Sequence, residues 1–259
     1  MRFHGRDIWK ELCHAGRLLL PPVCPACAGP LAGEQTFCAS CLTAITPLPK
    51  ARCPVCALPY PATDDMPHLC GDCAKRRPPF AIVHAAGLYQ GLLRELIHRL
   101  KYHAVPLLDR PLARLLAQAL SQNGAGSPDL VLPVPLHYER LKKRTFNQAQ
   151  LIARELARIL QSSFSDRLLV RLRPTPPQQN LSAEQRRRNL RGAFGVQDRL
   201  GGRRVLLVDD VMTTGATART CTEALLAAGA AEVEIAVAGR AARFLQPEFV
   251  QAASVQVKS

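Results

Sequence analysis

Two carboxylates and a hydroxyl-rich turn near the C-terminus carry the most specific chemistry in this 259-residue chain. Val205-Leu206-Leu207-Val208 runs into Asp209 and Asp210. Val211-Met212 then leads to Thr213, Thr214, Gly215, Ala216 and Thr217, where a helical pattern opens. A continuous apolar run reads as a buried parallel strand, ending at the two acids and presenting them to solvent. Backbone N–H groups at a helix start, flanked by threonine hydroxyls, form a ready site for a phosphate. Carboxylates beside that phosphate would repel it unless the ligand also offers them hydroxyls or a bound Mg²⁺. A doubly wound domain whose strand merely ends in Asp-Asp is the competing reading.

The second constellation is thiol. Of ten cysteines, eight form Cys-x-x-Cys pairs: Cys24/Cys27, Cys38/Cys41, Cys53/Cys56 and Cys70/Cys73. One such pair sets two thiolates on a metal from a tight knuckle, and two pairs complete a tetrahedral zinc site. Pairing in chain order and a cross-braced arrangement use the same residues. Disulfides compete, but no uninterrupted apolar signal-peptide core is present, so a reducing, cytoplasmic setting is expected. The Cys-rich segment has too few aliphatic residues for a core of its own, so structural Zn²⁺ must hold it together. Cys13 and Cys221 stand apart, and Cys221 reads as a small buried thiol in the helix after the turn.

Val205 to Ala218 closely resembles the phosphoribosyl pyrophosphate motif of type I phosphoribosyltransferases. The resemblance implies that Asp209 and Asp210 hold the ribose hydroxyls, that Thr213, Thr214, Gly215, Ala216 and Thr217 hold the 5′-phosphate, and that Mg²⁺ accompanies the ligand. Pro133-Val134-Pro135, closing the apolar run from Leu130, lies where that family keeps its pyrophosphate-binding loop. Arg144-Thr145-Phe146-Asn147-Gln148 is similar to the Arg-Gly-Phe-Asn-Gln signature of the ComF family, with Thr145 in place of glycine. His98 to His103 resembles that family's helix end and lysine, and Gln178, Leu181, Arg186, Asn189 and Phe194 resemble further positions. With the four cysteine pairs, the likeness to the ComF family runs nearly end to end. Purine-salvage relatives place an Asp where this chain has Thr213, which argues against hypoxanthine or guanine as acceptor.

These residues need a scaffold. The expected fold class is α/β: a type I phosphoribosyltransferase-like parallel sheet flanked by helices, preceded by a small double zinc ribbon. Strands are expected over Ala81–Tyr89, Leu130–Leu136, around Leu168–Val170, over Val205–Val208 and over Val233–Ala238. Helices are expected over Leu92–His103, Leu107–Ser121, from Gln148 to about Leu160, and from Ala216 to about Ala228, stopped by Gly229. Residues 1–21 read as an amphipathic helix, 22–76 as the double zinc ribbon, 80–245 as the sugar-phosphate domain and 246–259 as a tail. Lys75-Arg76-Arg77-Pro78-Pro79 marks the boundary between the two domains. Hydrophobic residues make up 47% of the chain and aromatics only 5%, so the core must be aliphatic. No apolar run reaches transmembrane length.

Charge bears on partners. Lys and Arg number 34 against 20 Asp and Glu, a net charge of +14 that favours a phosphate-rich ligand or a nucleic acid. Arg171 to Arg191 is too long and polar for an ordinary connector, and the type I resemblance implies a loop closing over substrate there. Two functional readings follow. In the first, an enzyme transfers a phosphoribosyl group to a nitrogen acceptor, with Arg144, Arg186 and Arg188 neutralising pyrophosphate. In the second, a binding protein contacts single-stranded DNA electrostatically and keeps a vestigial sugar-phosphate pocket. The ComF resemblance implies natural competence and DNA uptake, with competence machinery at the inner face of the membrane as a partner.

Overall fold

The computed structural model describes residues 22–33, 35–61, 66–102, 106–136, 146–173, 190 and 192–242. Arg144, Thr145, Gln178, Leu181, Arg186, Arg188 and Asn189 lie outside them, as do the N-terminal amphipathic segment and the tail. The chain divides into two compact units, Met1–Ala44 and Ile45–Ser259, so the division falls inside the Cys-rich segment.

The first unit is a metal knuckle followed by a one-turn helix. Cys24 donates its N–H to Gly29 and accepts at its carbonyl from Ala28, closing a turn that an antiparallel bridge between Val23 and Pro30 seals. Ala28 sits at φ 59°, a left-handed conformation that an alanine adopts only when its surroundings impose it. Helix α1, Ala39–Ala44, then presents Cys41.

The second unit opens on a copy of that knuckle. Cys53-Pro54-Val55-Cys56-Ala57 repeats Cys24-Pro25-Ala26-Cys27-Ala28, with the same hydrogen bonds, an Arg52–Pro59 bridge and Ala57 at φ 53°. Helix α2, Gly71–Lys75, presents Cys73.

A five-stranded sheet follows, in the order β1-β7-β6-β2-β3 with every neighbouring pair parallel. Its strands are β1 (Val83–Ala85), β2 (Leu130–Pro133), β3 (Ser163–Phe164), β6 (Arg204–Met212) and β7 (Glu232–Arg240). Helices α3 (Gly91–Tyr102), α4 (Asp109–Gln122) and α5 (Gln148–Leu160) pack on one face. Helix α6 (Ala216–Ala227) packs on the other, beside an antiparallel ribbon of β4 (Leu169–Arg171) and β5 (Phe194–Val196).

Side-chain alternation assigns the faces. Val205 and Leu207 of β6 and Val233, Ile235 and Val237 of β7 enter a core with Cys221 and Leu225 of α6. The same core contains Cys53, Cys56, Cys70 and Cys73, so the second knuckle is a wall of the α/β unit.

Three sequence expectations need correction. The strand bearing the acids does not stop at them: β7 continues beside it, pairing Asp209 with Val237 and Met212 with Arg240, so both carboxylates are partly buried. The first strand is three residues long: its ladder with β7 is interrupted after Ala85, and Leu88 rejoins Arg240 only as an isolated parallel bridge while its own N–H donates to the Thr46 carbonyl. The strand from Leu130 ends at Pro133; Val134 still donates to the Val208 carbonyl, but Pro135 has no N–H to continue. Patterning also gave no hint of β5, whose pairing with β4 brings together the two ends of the long basic segment.

Candidate functional site

The adjacent acids of β6 diverge, because successive strand residues point to opposite faces. Asp209 lies on the α6 side and lines a cleft with Val134, Val211, Thr213, Thr214, Gly215, Ala216, Thr217 and Val237. Asp210 points the other way, and its carboxylate meets Lys101 Nζ at the end of α3 at 2.9 Å, with both side chains only 15% exposed. Lys101 also stands 5.9 Å over the Tyr89 ring. Pro133 is buried at the β2 end, and neither it nor Pro135 is among the cleft-lining residues; Val134 is.

Burial is the main influence on Asp209. It pushes the carboxyl up to about 7, with the neighbouring Asp210 charge adding to the rise and Lys101 opposing it. Asp209 Oδ1 accepts from the Asp210 N–H at 2.8 Å. The same burial, reinforced by the Asp209 charge, raises the Cys221 thiol. Cys221 is therefore an inert core residue rather than a nucleophile.

The loop opposite Asp209 is shaped by Gly215. At φ 76° it takes a conformation that side chains resist, and a Cβ there would lie 2.5 Å from Met212 Cε. Gly215 is also the N-cap of α6, so the first amides of that helix open beside the cleft. The Ala216 N–H leans on Thr214 Oγ1 at 3.4 Å. Across the cleft, Asn147 Nδ2 donates to the Val134 carbonyl at 3.0 Å while its Oδ1 accepts from the Ala149 N–H. One buried side chain thus caps α5 and fixes the segment after β2. This is what the Phe146-Asn147-Gln148 part of the signature does in the described structure.

Two further residues had no sequence signal for their partners. Lys101 belongs to a basic helix end, and only the fold places it on Asp210. Arg240 closes an apolar strand, and burial to 2% exposure comes with hydrogen bonds from its guanidinium to backbone carbonyls, among them those of Met212 and Thr213.

The thiols cluster in chain order: Cys24, Cys27, Cys38 and Cys41 in one group and Cys53, Cys56, Cys70 and Cys73 in another, with the sulfurs of each group within 4.8 Å of one another. A tetrahedral zinc at about 2.3 Å from each sulfur sets the sulfurs roughly 3.8 Å apart. Cys27 and Cys38 lie at 3.7 Å, and Cys56 and Cys70 at 3.6 Å. No disulfide joins the nine described cysteines.

The crowded thiols cannot share their protons evenly. The Ser40 hydroxyl holds Cys38 down at about 6, while Cys38 in turn pushes Cys41 up to about 12. The Cys56 thiol likewise lowers Cys53 to about 4, Cys56 itself rises, and burial pushes Cys73 up to about 12. A divalent cation lets all four ionise together, so both donor sets fit structural zinc.

The comparisons agree with this architecture. Residues 15–74 match the double zinc ribbon domain and residues 99–243 the phosphoribosyl transferase domain. The chain is 37% identical over 224 residues to the DNA utilization protein YhgH of Escherichia coli (strain K12), covering 84% of this chain and 96% of that one. It is 35% identical over 173 residues to Competence protein F of Haemophilus influenzae, covering 64% of this chain and 76% of that one. Competence protein ComFC of Bacillus subtilis (strain 168) is 24% identical over 205 residues, with 76% and 81% covered. With paired Cys₄ knuckles, a parallel sheet and an acid-bearing strand leading into a threonine-glycine loop, the chain belongs to the ComF family of double-zinc-ribbon, phosphoribosyltransferase-domain proteins.

Proposed function

We propose that the cleft binds Mg²⁺-phosphoribosyl pyrophosphate or a related sugar phosphate, in a protein serving natural competence and the handling of incoming DNA. The observation that carries this reading is the meeting, in one cleft, of Asp209, the Thr213–Thr217 loop at the start of α6, and Val134 after β2. Asp209 accepts hydrogen bonds from ribose hydroxyls, and the loop amides and threonine hydroxyls receive the 5′-phosphate. Asp210, pinned by Lys101, supplies a second acceptor on the opposite face of β6. Arg144, Arg186 and Arg188 are proposed to neutralise the pyrophosphate. Bound Mg²⁺ would screen the pyrophosphate charge, a task suited to carboxylate-rich surroundings. If turnover occurs, the bond from the ribose anomeric carbon to pyrophosphate breaks as a bond to an acceptor nitrogen forms. The protein's contribution is then positioning and charge stabilisation.

Isothermal titration with phosphoribosyl pyrophosphate and Mg²⁺ tests the reading, followed by a screen for pyrophosphate release with nucleobases. Saturable binding that D209N weakens more than about tenfold supports it, and absence of binding at millimolar ligand overturns it.

A second reading, a non-catalytic single-stranded DNA-binding protein, is favoured by the net charge of +14 and by the β4–β5 ribbon that gathers the ends of the arginine-rich segment. It predicts binding with little sequence preference and a steep salt dependence, which R186A/R187A/R188A should flatten. Competence machinery at the cytoplasmic face of the membrane is the partner proposed on either reading. No helix among the described residues is long and apolar enough to cross a membrane.

A further inference from the structure

The second Cys₄ group and the loop below β6 share more than a core. Both line one cleft, which brings Cys56, Cys70 and Cys73 opposite Met212, Thr214 and Gly215, with Arg240 between them. Arg240 Nε donates to the Cys56 carbonyl at 2.8 Å. Its Nη1 lies within hydrogen-bond distance of the Met212, Thr213 and Ala241 carbonyls, at 3.0, 2.8 and 2.8 Å. One buried cation therefore ties the backbone of a metal ligand to the backbone that enters the phosphate loop. Arg219, in the first turn of α6, adds a second tie by donating to the Arg76 and Arg77 carbonyls just beyond the knuckle.

We propose that Arg240 is a positioning residue that makes the second Cys₄ site and the Thr213–Thr217 loop one cooperative unit. A filled metal site fixes the Cys56 carbonyl, Arg240 transmits that constraint to Met212 and Thr213, and the loop is thereby preorganised for its ligand. The contacts to the Cys56 and Met212 carbonyls are buried, where losing a charged donor leaves the acceptor unsatisfied, so the coupling runs through strong contacts. Coupling of this kind is reciprocal: a ligand on the loop must tighten metal retention by the same factor that metal tightens the ligand. The ligand half of this inference rests on the sugar-phosphate reading above; the loop-ordering half does not.

The experiment uses the full zinc-loaded chain and hydrogen exchange at the Ala216, Arg219 and Ala241 amides, which are bonded to Thr214 Oγ1, Gly215 and Met212. In Arg240→Met these amides should exchange about tenfold faster or more, while those of Val205 to Val208 in β6 keep their protection. Arg240→Lys, which preserves the charge with fewer donors, should fall between the two and serves in place of Arg240→Met if that variant does not fold.

Zinc release to a chelator, with and without saturating ribose 5-phosphate, tests reciprocity. Release from the second site should slow at least threefold with the sugar phosphate in the wild type and not in the variant, with the first site as internal control. Unchanged loop exchange in the variant overturns the proposal, as does equal loosening of loop and β6. If neither ribose 5-phosphate nor phosphoribosyl pyrophosphate with Mg²⁺ binds the wild type, the sugar-phosphate reading fails, and the exchange comparison still decides the role of Arg240.

Discussion

The two cysteine knuckles are near-copies in sequence and backbone, yet they stand in opposite environments. Cys24-Pro25-Ala26-Cys27-Ala28 and Cys53-Pro54-Val55-Cys56-Ala57 share turn hydrogen bonds, a sealing bridge and a left-handed alanine. In the first, Cys27 is exposed and Cys38 half-buried; in the second, all four thiols are buried. The second also belongs to the core of the α/β unit, and its Cys56 carbonyl is bonded to Arg240. The same motif therefore belongs to a separate small unit in one place and is a wall of the α/β unit in the other. The two carboxylates repeat the lesson: neighbours in sequence, they are separated by the strand's alternation into a cleft-facing acid and a lysine-paired one.

The largest expected effect separates the knuckles. Structural zinc contributes about 10–16 kcal/mol in isolated finger peptides, comparable to or above the roughly 5–15 kcal/mol that holds a whole domain. Cys70→Ser with Cys73→Ser should leave the α/β unit unfolded or aggregated, whereas Cys24→Ser with Cys27→Ser should shift its melting by no more than about 2 °C, under 1 kcal/mol. Elemental analysis should give two zinc ions per wild-type chain, and circular dichroism follows the melts. Equal damage from both variants would erase the distinction.

The carboxylates come next. Asp209→Asn removes a charged acceptor from the cleft and should weaken phosphoribosyl pyrophosphate binding by about 1.5–3 kcal/mol, more than tenfold. Asp210→Asn, losing an acid already held by Lys101, should cost less. Titration calorimetry on the two variants would refute the divergence if their order were reversed.

Chelator challenge should then distinguish the metal sites kinetically. The exposed Cys27 gives competing ligands access to the first site, so its zinc should leave about tenfold faster, as access governs ligand exchange at thiolate sites. Stopped-flow release in two well-separated phases, with the fast one absent from the Cys24/Cys27 variant, is the expected trace.

A smaller effect follows from the raised Asp209 carboxyl, at about 7. Binding that needs the carboxylate should strengthen as pH rises from 6 to 8. Stability runs the other way: above the unfolded value near 4 the folded state holds the extra proton, so this group's contribution falls as pH rises toward 7 and is lowest beyond it. Asp209→Asn should therefore melt a few degrees above wild type at pH 8 and lose that advantage at pH 4. A parallel pair of melting curves across this range would show that Asp209 does not titrate there.

The smallest test returns to the knuckles. Ala28→Gly relieves a left-handed alanine at an exposed position and should stabilise the first site by up to about 1 kcal/mol. Ala57→Gly relieves the same strain but deletes a methyl that is 3% exposed, so its gain should be smaller or negative. Zinc affinity by competition titration reads both.

Much of this protein was settled by local chemistry. Cys-x-x-Cys spacing forces two thiolates onto one turn, an apolar run between turns forms a buried strand, and a threonine-glycine turn at a helix start exposes unsatisfied amides. The cysteine pairs, the acid-bearing strand and the loop were therefore readable in advance, while the sorting of the pairs into quartets came from the fold. Register and burial were not, because they depend on residues far away in the chain. Continued pairing with β7 carried β6 past its acids to Met212. The packing of α3 set Lys101 on Asp210, and the core accepted one knuckle as a wall. Arg240 shows the limit most sharply: its partners at Cys56 and Met212 lie 184 and 28 residues away. Only the assembled fold, by burying the guanidinium, obliges it to find those carbonyls.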